Sequence, residues 1–226
     1  MVWRRHLDYL VELLRYIAKI SPQMLVGVAG TLRVYFGAVF PALLAGVFFA
    51  VLKTSGPAPL RWVLGVYTWA WRGVPLLLQL MVMKYGVMPL IGVRDDFPGA
   101  VWVFALNMGA YITEIMRASI ESVDRGQYEA CKALGIPYWR MMFRVVIPQS
   151  IRIAIPPACS EAINLLKDAA VISIISMQDI VRVANQITTR DKTIVPYIYA
   201  FAIYLALTSL LVKSFNLLEQ RYTAYD

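Results

Sequence analysis

Two features of this sequence predict an all-α integral membrane protein with about five transmembrane helices: its apolar composition and its long uncharged runs. Hydrophobic residues make up 59% of the 226 and charged residues only 16%, with a mean hydropathy of +0.60. Soluble chains run at roughly 45–50% apolar and about 25% charged. Residues 34–52 form a run of 19 without a charge, and residues 193–212 a run of 20. A helix needs about 20 such residues to cross the hydrocarbon core.

The first element, over residues 1–22, reads as an amphipathic surface helix. Trp3, Leu7, Leu10, Val11, Leu14, Ile17 and Ala18 recur at helical spacing, while Arg4, Arg5, Asp8, Glu12, Arg15 and Lys19 fill the other face. A helix this short and charged lies along the bilayer surface or packs on a partner subunit. A transmembrane domain over residues 23–220 follows, then a tail at 221–226. Spans are expected at about 24–52, 62–83, 97–120, 145–177 and 194–218. The second is interrupted by Arg72-Gly73-Val74-Pro75, and the third carries Asn107, Glu114 and Arg117. The fourth contains Pro148, Pro156 and Pro157, then Glu161, Lys167 and Asp168. It reads as one broken span, or as a steep half-helix with a surface segment. The fifth is the cleanest.

Twenty-two Lys and Arg against 14 Asp and Glu give a net charge of +8, an excess that in a membrane protein faces anionic lipid and sets orientation. No basic tail or aromatic-basic motif is present, so nucleic-acid binding is not expected. His6, Cys131 and Cys159 make neither a metal cluster nor a disulfide framework, and no cofactor is expected on this chain. Residues 1–20 lack the 7–15-residue apolar core of a cleavable signal. Outside the spans, Lys and Arg divide almost evenly between the two sides until the surface helix is set aside. The excess then falls beside Arg117, Arg125, Lys132, Arg140 and Arg144, which predicts a cytoplasmic face there, an external N-terminus and a cytoplasmic C-terminus.

Between spans three and four, residues 124–142 hold a compact helical hairpin. Every residue from Gln127 to Leu134 is a fair helix former, and Gly135 followed by Ile136-Pro137 is a stop. A second short helix can start at Pro137. Small Ala130, Cys131 and Ala133 would let the first helix approach another surface closely. A plain connecting loop is the alternative.

Glu129-Ala130-Cys131, then Gly135, then Val145-Val146-Ile147-Pro148 resembles the EAA signature of ABC importer permeases, in which Glu-Ala-Ala is followed by Gly and by Ile-x-Leu-Pro. Cys131, Val145 and Ile147 depart from that pattern conservatively. The chain is similar, more specifically, to the polar amino-acid permease branch, from about Gly30 to Leu218. The landmarks are Gly30-Thr31-Leu32, Arg72-Gly73-Val74-Pro75-Leu76, Leu106-Asn107-Met108-Gly109-Ala110-Tyr111, Glu114-Ile115-Met116-Arg117, Ile147-Pro148-Gln149 and Leu165-Leu166-Lys167-Asp168. The resemblance implies a five-span subunit of a bacterial inner-membrane importer of polar or charged amino acids. It pairs with a second permease, identical or related, and receives its solute from an extracytoplasmic solute-binding protein. Two cytoplasmic ATP-binding subunits carry the ATP and Mg and grip the loop at Glu129, Ala130, Cys131, Gly135, Ile136 and Pro137. The chain itself contains no G-x-x-x-x-G-K-[ST] phosphate loop, so it is expected not to be an enzyme.

Ionisable residues inside a membrane segment face a cavity, a partner or a pathway. At 100° per residue, Glu161, Asn164, Leu165 and Asp168 fall within about 100° of one another, with Lys167 beside that stripe. Carboxylates suit an ammonium or a cationic side chain, and Asn164 offers hydrogen bonds. Lys167 could receive an α-carboxylate or neutralise Asp168 or Glu114. By resemblance, Asn107, Glu161, Lys167 and Asp168 map onto the family's substrate site; Asn164 is added from helical geometry. Two carboxylates lean the site toward cationic amino acids, while Lys167 beside them blunts that preference and keeps glutamine and glutamate open. A buried network tying spans three and four together is the alternative. Arg72 reads as structural or interface-forming, donating to carbonyls released at the break beside it, with a substrate contact as the alternative, and Arg33 as a residue that snorkels to the headgroups. A self-sufficient secondary transporter using Glu161 and Asp168 for ion or proton coupling is the competing function, although no internal repeat supports it.

Overall fold

The computed structural model describes residues 2–223, with side chains at residue 8 and from 10 to 222. The expected apolar and basic faces at Trp3, Arg4, Arg5 and Leu7, and most of the tail at 221–226, lie outside the described residues. Among the described residues the structure is helical throughout. Its helices are α1 (Val2–Ser55), α2 (Ala58–Gly73), α3 (Leu76–Val82), α4 (Met88–Leu90), α5 (Asp96–Glu121), α6 (Arg125–Ala133), α7 (Tyr138–Met141), α8 (Ile147–Asp168), α9 (Ile180–Asp191) and α10 (Val195–Thr223). Stretches within α1 and α10, together with α5, are long and apolar enough to cross a membrane; α2 with α3–α4 would make a fourth span, bent by 106°. At 22 residues α8 spans about 33 Å, enough to cross, but its last turns carry charge.

The surface helix and first span expected as separate elements are one helix. Pro22 lies inside α1, where a proline removes one backbone bond at a cost of about 3 kcal/mol. Burial offsets that cost. Ile20 and Met24, on either side of Pro22, pack into one cluster with Ile180, Val183, Ala184 and Ile187 of α9. Ser21 donates to the Ile17 carbonyl at 2.7 Å and meets the Tyr199 hydroxyl at 2.9 Å. The helix therefore continues through residue 22, and α9 supplies the surface that holds it.

α5 runs through the centre. Its Val103, Phe104, Met108 and Ile112 share a core with Val34, Tyr35, Ala38 and Ala42 of α1 and with Leu165 and Leu166 of α8. Its far end, at Met116 and Ile120, packs with Val146 and Ile147 at the start of α8, so the two helices are antiparallel. Gly30 of α1 lets the chain after α8 come close: a Cβ there would sit 1.8 Å from the Gln178 carbonyl oxygen. Between α8 and Gln178 lies a tighter 3₁₀ segment, Ala169–Ile175, whose last carbonyl accepts from Lys84 Nζ at 2.5 Å, while Lys84 also pairs with Asp96 at 2.8 Å.

Two wide π turns have the same origin. Met83–Val87 and Met142–Val146 each end two residues before a proline, Pro89 and Pro148. A proline has no N–H and its ring crowds the carbonyl four residues earlier. Widening the turn relieves both effects and keeps the helix going.

Candidate functional site

Where α2 stops, Val74 and Pro75 are extended, with ψ of 135° at each. Glycine at 73 and the ban on αR before proline account for the break. The carbonyls it releases need donors. Gln79 Nε2 donates to Trp71 O at 2.8 Å and Val74 O at 2.9 Å, and Asn107 Nδ2 donates to Trp71 O at 2.9 Å and Gln79 Oε1 at 3.1 Å. Arg72 was expected to fill this role; it does not. Its guanidinium lies over the Tyr111 ring, 5.2 Å from the centroid, a cation–π geometry.

This break forms one wall of a cavity of about 800 Å³. Arg72 and Tyr111 line it from α2 and α5, and Glu161, Asn164, Lys167 and Asp168 from α8, with Asn107 beside the break. All five residues expected at a substrate site thus converge on one space. Two details differ from the helical-wheel reading. Leu165 turns into the core, 4% exposed, whereas Lys167 joins the cavity wall. The polar arc of α8 is therefore displaced toward Lys167, because α5 and α1 cover the Leu165 side. Sequence reasoning favoured a structural role for Arg72 over a place in this site, and it did not single out Tyr111, which lines the cavity, or Gln79, which holds the break. The released carbonyls could have pointed to Gln79, since an amide can meet two acceptors.

The buried-network alternative finds its members elsewhere. Lys53 at the end of α1 forms an ion pair with Glu114 and donates to Thr68 Oγ1 at 2.7 Å. Arg117 pairs with Glu114 at 2.8 Å and with Glu121 at 2.6 Å. Glu114 therefore does not meet Lys167. Among the described residues, the ion pairs within 4.0 Å include neither Glu161, Lys167 nor Asp168.

At the other end of α5, Asp124 caps α6 by accepting from Gly126 N at 2.5 Å. α6 ends in a Schellman motif: Ile136 N donates to Cys131 O at 2.9 Å, Gly135 N donates to Lys132 O at 3.1 Å, and Gly135 has φ of 67°. α7 starts after Pro137, as expected. The Tyr128 hydroxyl donates to Ile120 O at 3.2 Å, and burial pushes that phenol's pKa up. Cys131 turns inward, packing with Met116, Ile120 and Met141. Its place in the helix, three residues after Tyr128, puts it on the face that contacts α5. Glu129, Ala130, Gly135 and Pro137 are exposed, Ile136 is half-buried, and Leu134, next to Gly135, is 77% exposed. Among the described residues, no group of three or more His, Cys, Asp or Glu could hold a metal.

Residues 42–224 match the family described as the binding-protein-dependent transport system inner membrane component. The chain belongs to this family. It is a multi-pass membrane transport subunit of the permease type. It is 41% identical over 190 residues to the L-cystine transport system permease protein TcyB of Bacillus subtilis, covering 83% of this chain and 80% of that one. It is 35% identical over 207 residues to the arginine transport system permease protein ArtQ of the same organism, covering 91% and 94%. Among solved structures, an amino acid ABC transporter crystallised with histidines aligns with a TM-score of 0.85 at 36% identity, over 91% of this permease and 97% of that chain. The methionine transporter MetNI shares the fold, with a TM-score of 0.80 at 16% identity.

Proposed function

We propose that this permease takes up polar or charged L-amino acids across a bacterial inner membrane, with its N-terminus outside and its C-terminus cytoplasmic. A separate solute-binding protein delivers the amino acid from outside. Two cytoplasmic ATP-binding subunits hydrolyse ATP, and a second permease, identical or related, completes the pathway. The observation that carries this reading is the cavity itself. Charged groups of both signs line one space between a broken span and α8, as an amino acid's ammonium and carboxylate require. Glu161, Asp168, Lys167, Asn164 and Asn107 are its substrate-facing set. Membership of a binding-protein-dependent family weighs against a self-sufficient secondary transporter.

The exposed strip of α6 at Glu129 and Ala130, continued past the helix end by Gly135, Ile136 and Pro137, is the element that receives the stroke of the ATPase; Cys131 supports it from within. Gly135→Leu tests this. The left-handed conformation at φ of 67° costs a side-chain-bearing residue about 1–2 kcal/mol, so the loop is distorted while the bundle stays folded. In the reconstituted complex, transport should be abolished, and the binding protein should no longer stimulate ATP hydrolysis. Normal transport in a folded Gly135→Leu complex would remove this loop from the coupling role.

A further inference from the structure

We propose that the outward face of α7 and of the π turn after it, with Trp139, Arg140, Phe143 and Arg144, binds the phosphate of an anionic phospholipid at the edge of the bilayer. The site lies apart from the cavity and goes beyond the transport reading; it needs only that α8 enters the membrane from this end.

The depth of this face follows from α1. Residues 34–52 carry no charge, and about 20 such residues cross the hydrocarbon core. Lys53 ends that run and Ser55 ends the helix, so Ser55 stands at the membrane boundary. The Tyr138 hydroxyl meets Ser55 Oγ at 2.7 Å, which fixes the start of α7 at the same level. One side of this segment is covered: Met141, Met142 and Val146 pack with Ala50 and Ile120. The other side is open. Trp139 is 50% exposed and Phe143 61%, and their rings stack with centroids 6.1 Å apart and an interplanar angle of 26°. A paired aromatic face at this depth meets lipid at the headgroup level, where such rings are enriched.

Arg140 and Arg144 flank that pair about one helical turn apart, and both are exposed. Like charges at this spacing repel, and among the described residues the ion pairs within 4.0 Å include neither arginine. A bound anion relieves the repulsion. Each guanidinium can take two phosphate oxygens, while the rings rest against the glycerol and the upper acyl chain. Charge decides which lipid fits. An anionic headgroup gains from both cations, whereas the ammonium of a zwitterionic one cancels most of that gain. A soluble subunit fits less well, because the strip proposed to meet the ATPase ends at Pro137, and Trp139 and Phe143 follow it at the level of Ser55.

The test places the assembled complex in nanodiscs containing brominated phosphatidylglycerol or brominated phosphatidylcholine, which quench nearby tryptophan. The signal of Trp139 is the fluorescence lost by wild type beyond that lost by Trp139→Phe. Phosphatidylglycerol should quench it at about 25-fold lower mole fraction than phosphatidylcholine, since each cation near an anionic headgroup is worth roughly fivefold. Arg140→Gln and Arg144→Gln should each cut that preference about fivefold, and together they should abolish it at an unchanged melting temperature. Unbrominated phosphatidylglycerol should displace the quencher from wild type, and inorganic phosphate should not. Equal quenching by the two lipids, or a preference that survives the double substitution, overturns the proposal. Quenching by neither lipid means that an ATP-binding subunit or the second permease covers this face, and also overturns it. Displacement by inorganic phosphate makes it a plain anion site and overturns the lipid assignment. If the double variant does not fold, the displacement measurements on wild type decide alone.

Discussion

Glu114 and Glu161 are the same residue type on neighbouring antiparallel helices, yet their surroundings divide them. Glu114 is held by Lys53 from α1 and by Arg117 from its own helix, and its side chain is 14% exposed. Thr68 of α2 shares the Lys53 ammonium, so three helices are tied at one carboxylate. Glu161 opens on a cavity and takes part in none of the ion pairs found within 4.0 Å among the described residues. A partly buried carboxylate with two cations holds a fold together, because removing it strands charge. One that faces a polar cavity is available to a ligand. Charge in a membrane segment is therefore not one signal but two, separated by its partners.

The largest effect expected from this contrast is on stability. Glu114→Gln leaves Lys53 at the helix junction without its carboxylate and should cost about 3–5 kcal/mol, read as a large drop in melting temperature of the purified permease. A stable Glu114→Gln protein would erase the distinction between the two glutamates. The reciprocal change comes next in size. Glu161→Gln should leave melting temperature unchanged and weaken amino-acid binding by about one to two orders of magnitude, the worth of a charge-assisted hydrogen bond at roughly 1.5–3 kcal/mol. Lost stability with transport per folded complex intact would make Glu161 structural too. The smallest expected effect sharpens where the cavity wall comes from. Gln79→Ala removes donors from Trp71 O and Val74 O at the α2–α3 break, and Asn107 remains on only the first. It should lower stability by about 1 kcal/mol and weaken binding a few-fold through a looser wall, with Gln79→Glu failing to restore it because a carboxylate cannot donate.

Much of this was open to a reader of the sequence. Uncharged runs located the apolar stretches of α1 and α10 because water and hydrocarbon impose length and polarity directly on residues near each other in the chain. Gly73 and Pro75 announced the break, and Gly135 the end of α6, because backbone conformation there is set by one or two residues. Of the five polar residues converging on the cavity, Glu161, Lys167 and Asp168 were legible because burying charge in a membrane requires a reason, Asn164 followed from helical geometry, and Asn107 came through the family resemblance. The continuity of α1 through Pro22 was not, because it depends on α9, over 150 residues away in the chain. The inward turn of Cys131 was hidden for a similar reason: small residues at 130, 131 and 133 look alike until α5 fixes which face is covered. Arg72 shows the limit most clearly. As a lone arginine before a helix break it has local acceptors enough, and only the tertiary structure reveals that Gln79 and Asn107 have taken Trp71 O and Val74 O. Sequence determined which residues must be satisfied within the membrane; competition among distant partners decided which residue satisfied which, and so left Arg72 facing the cavity.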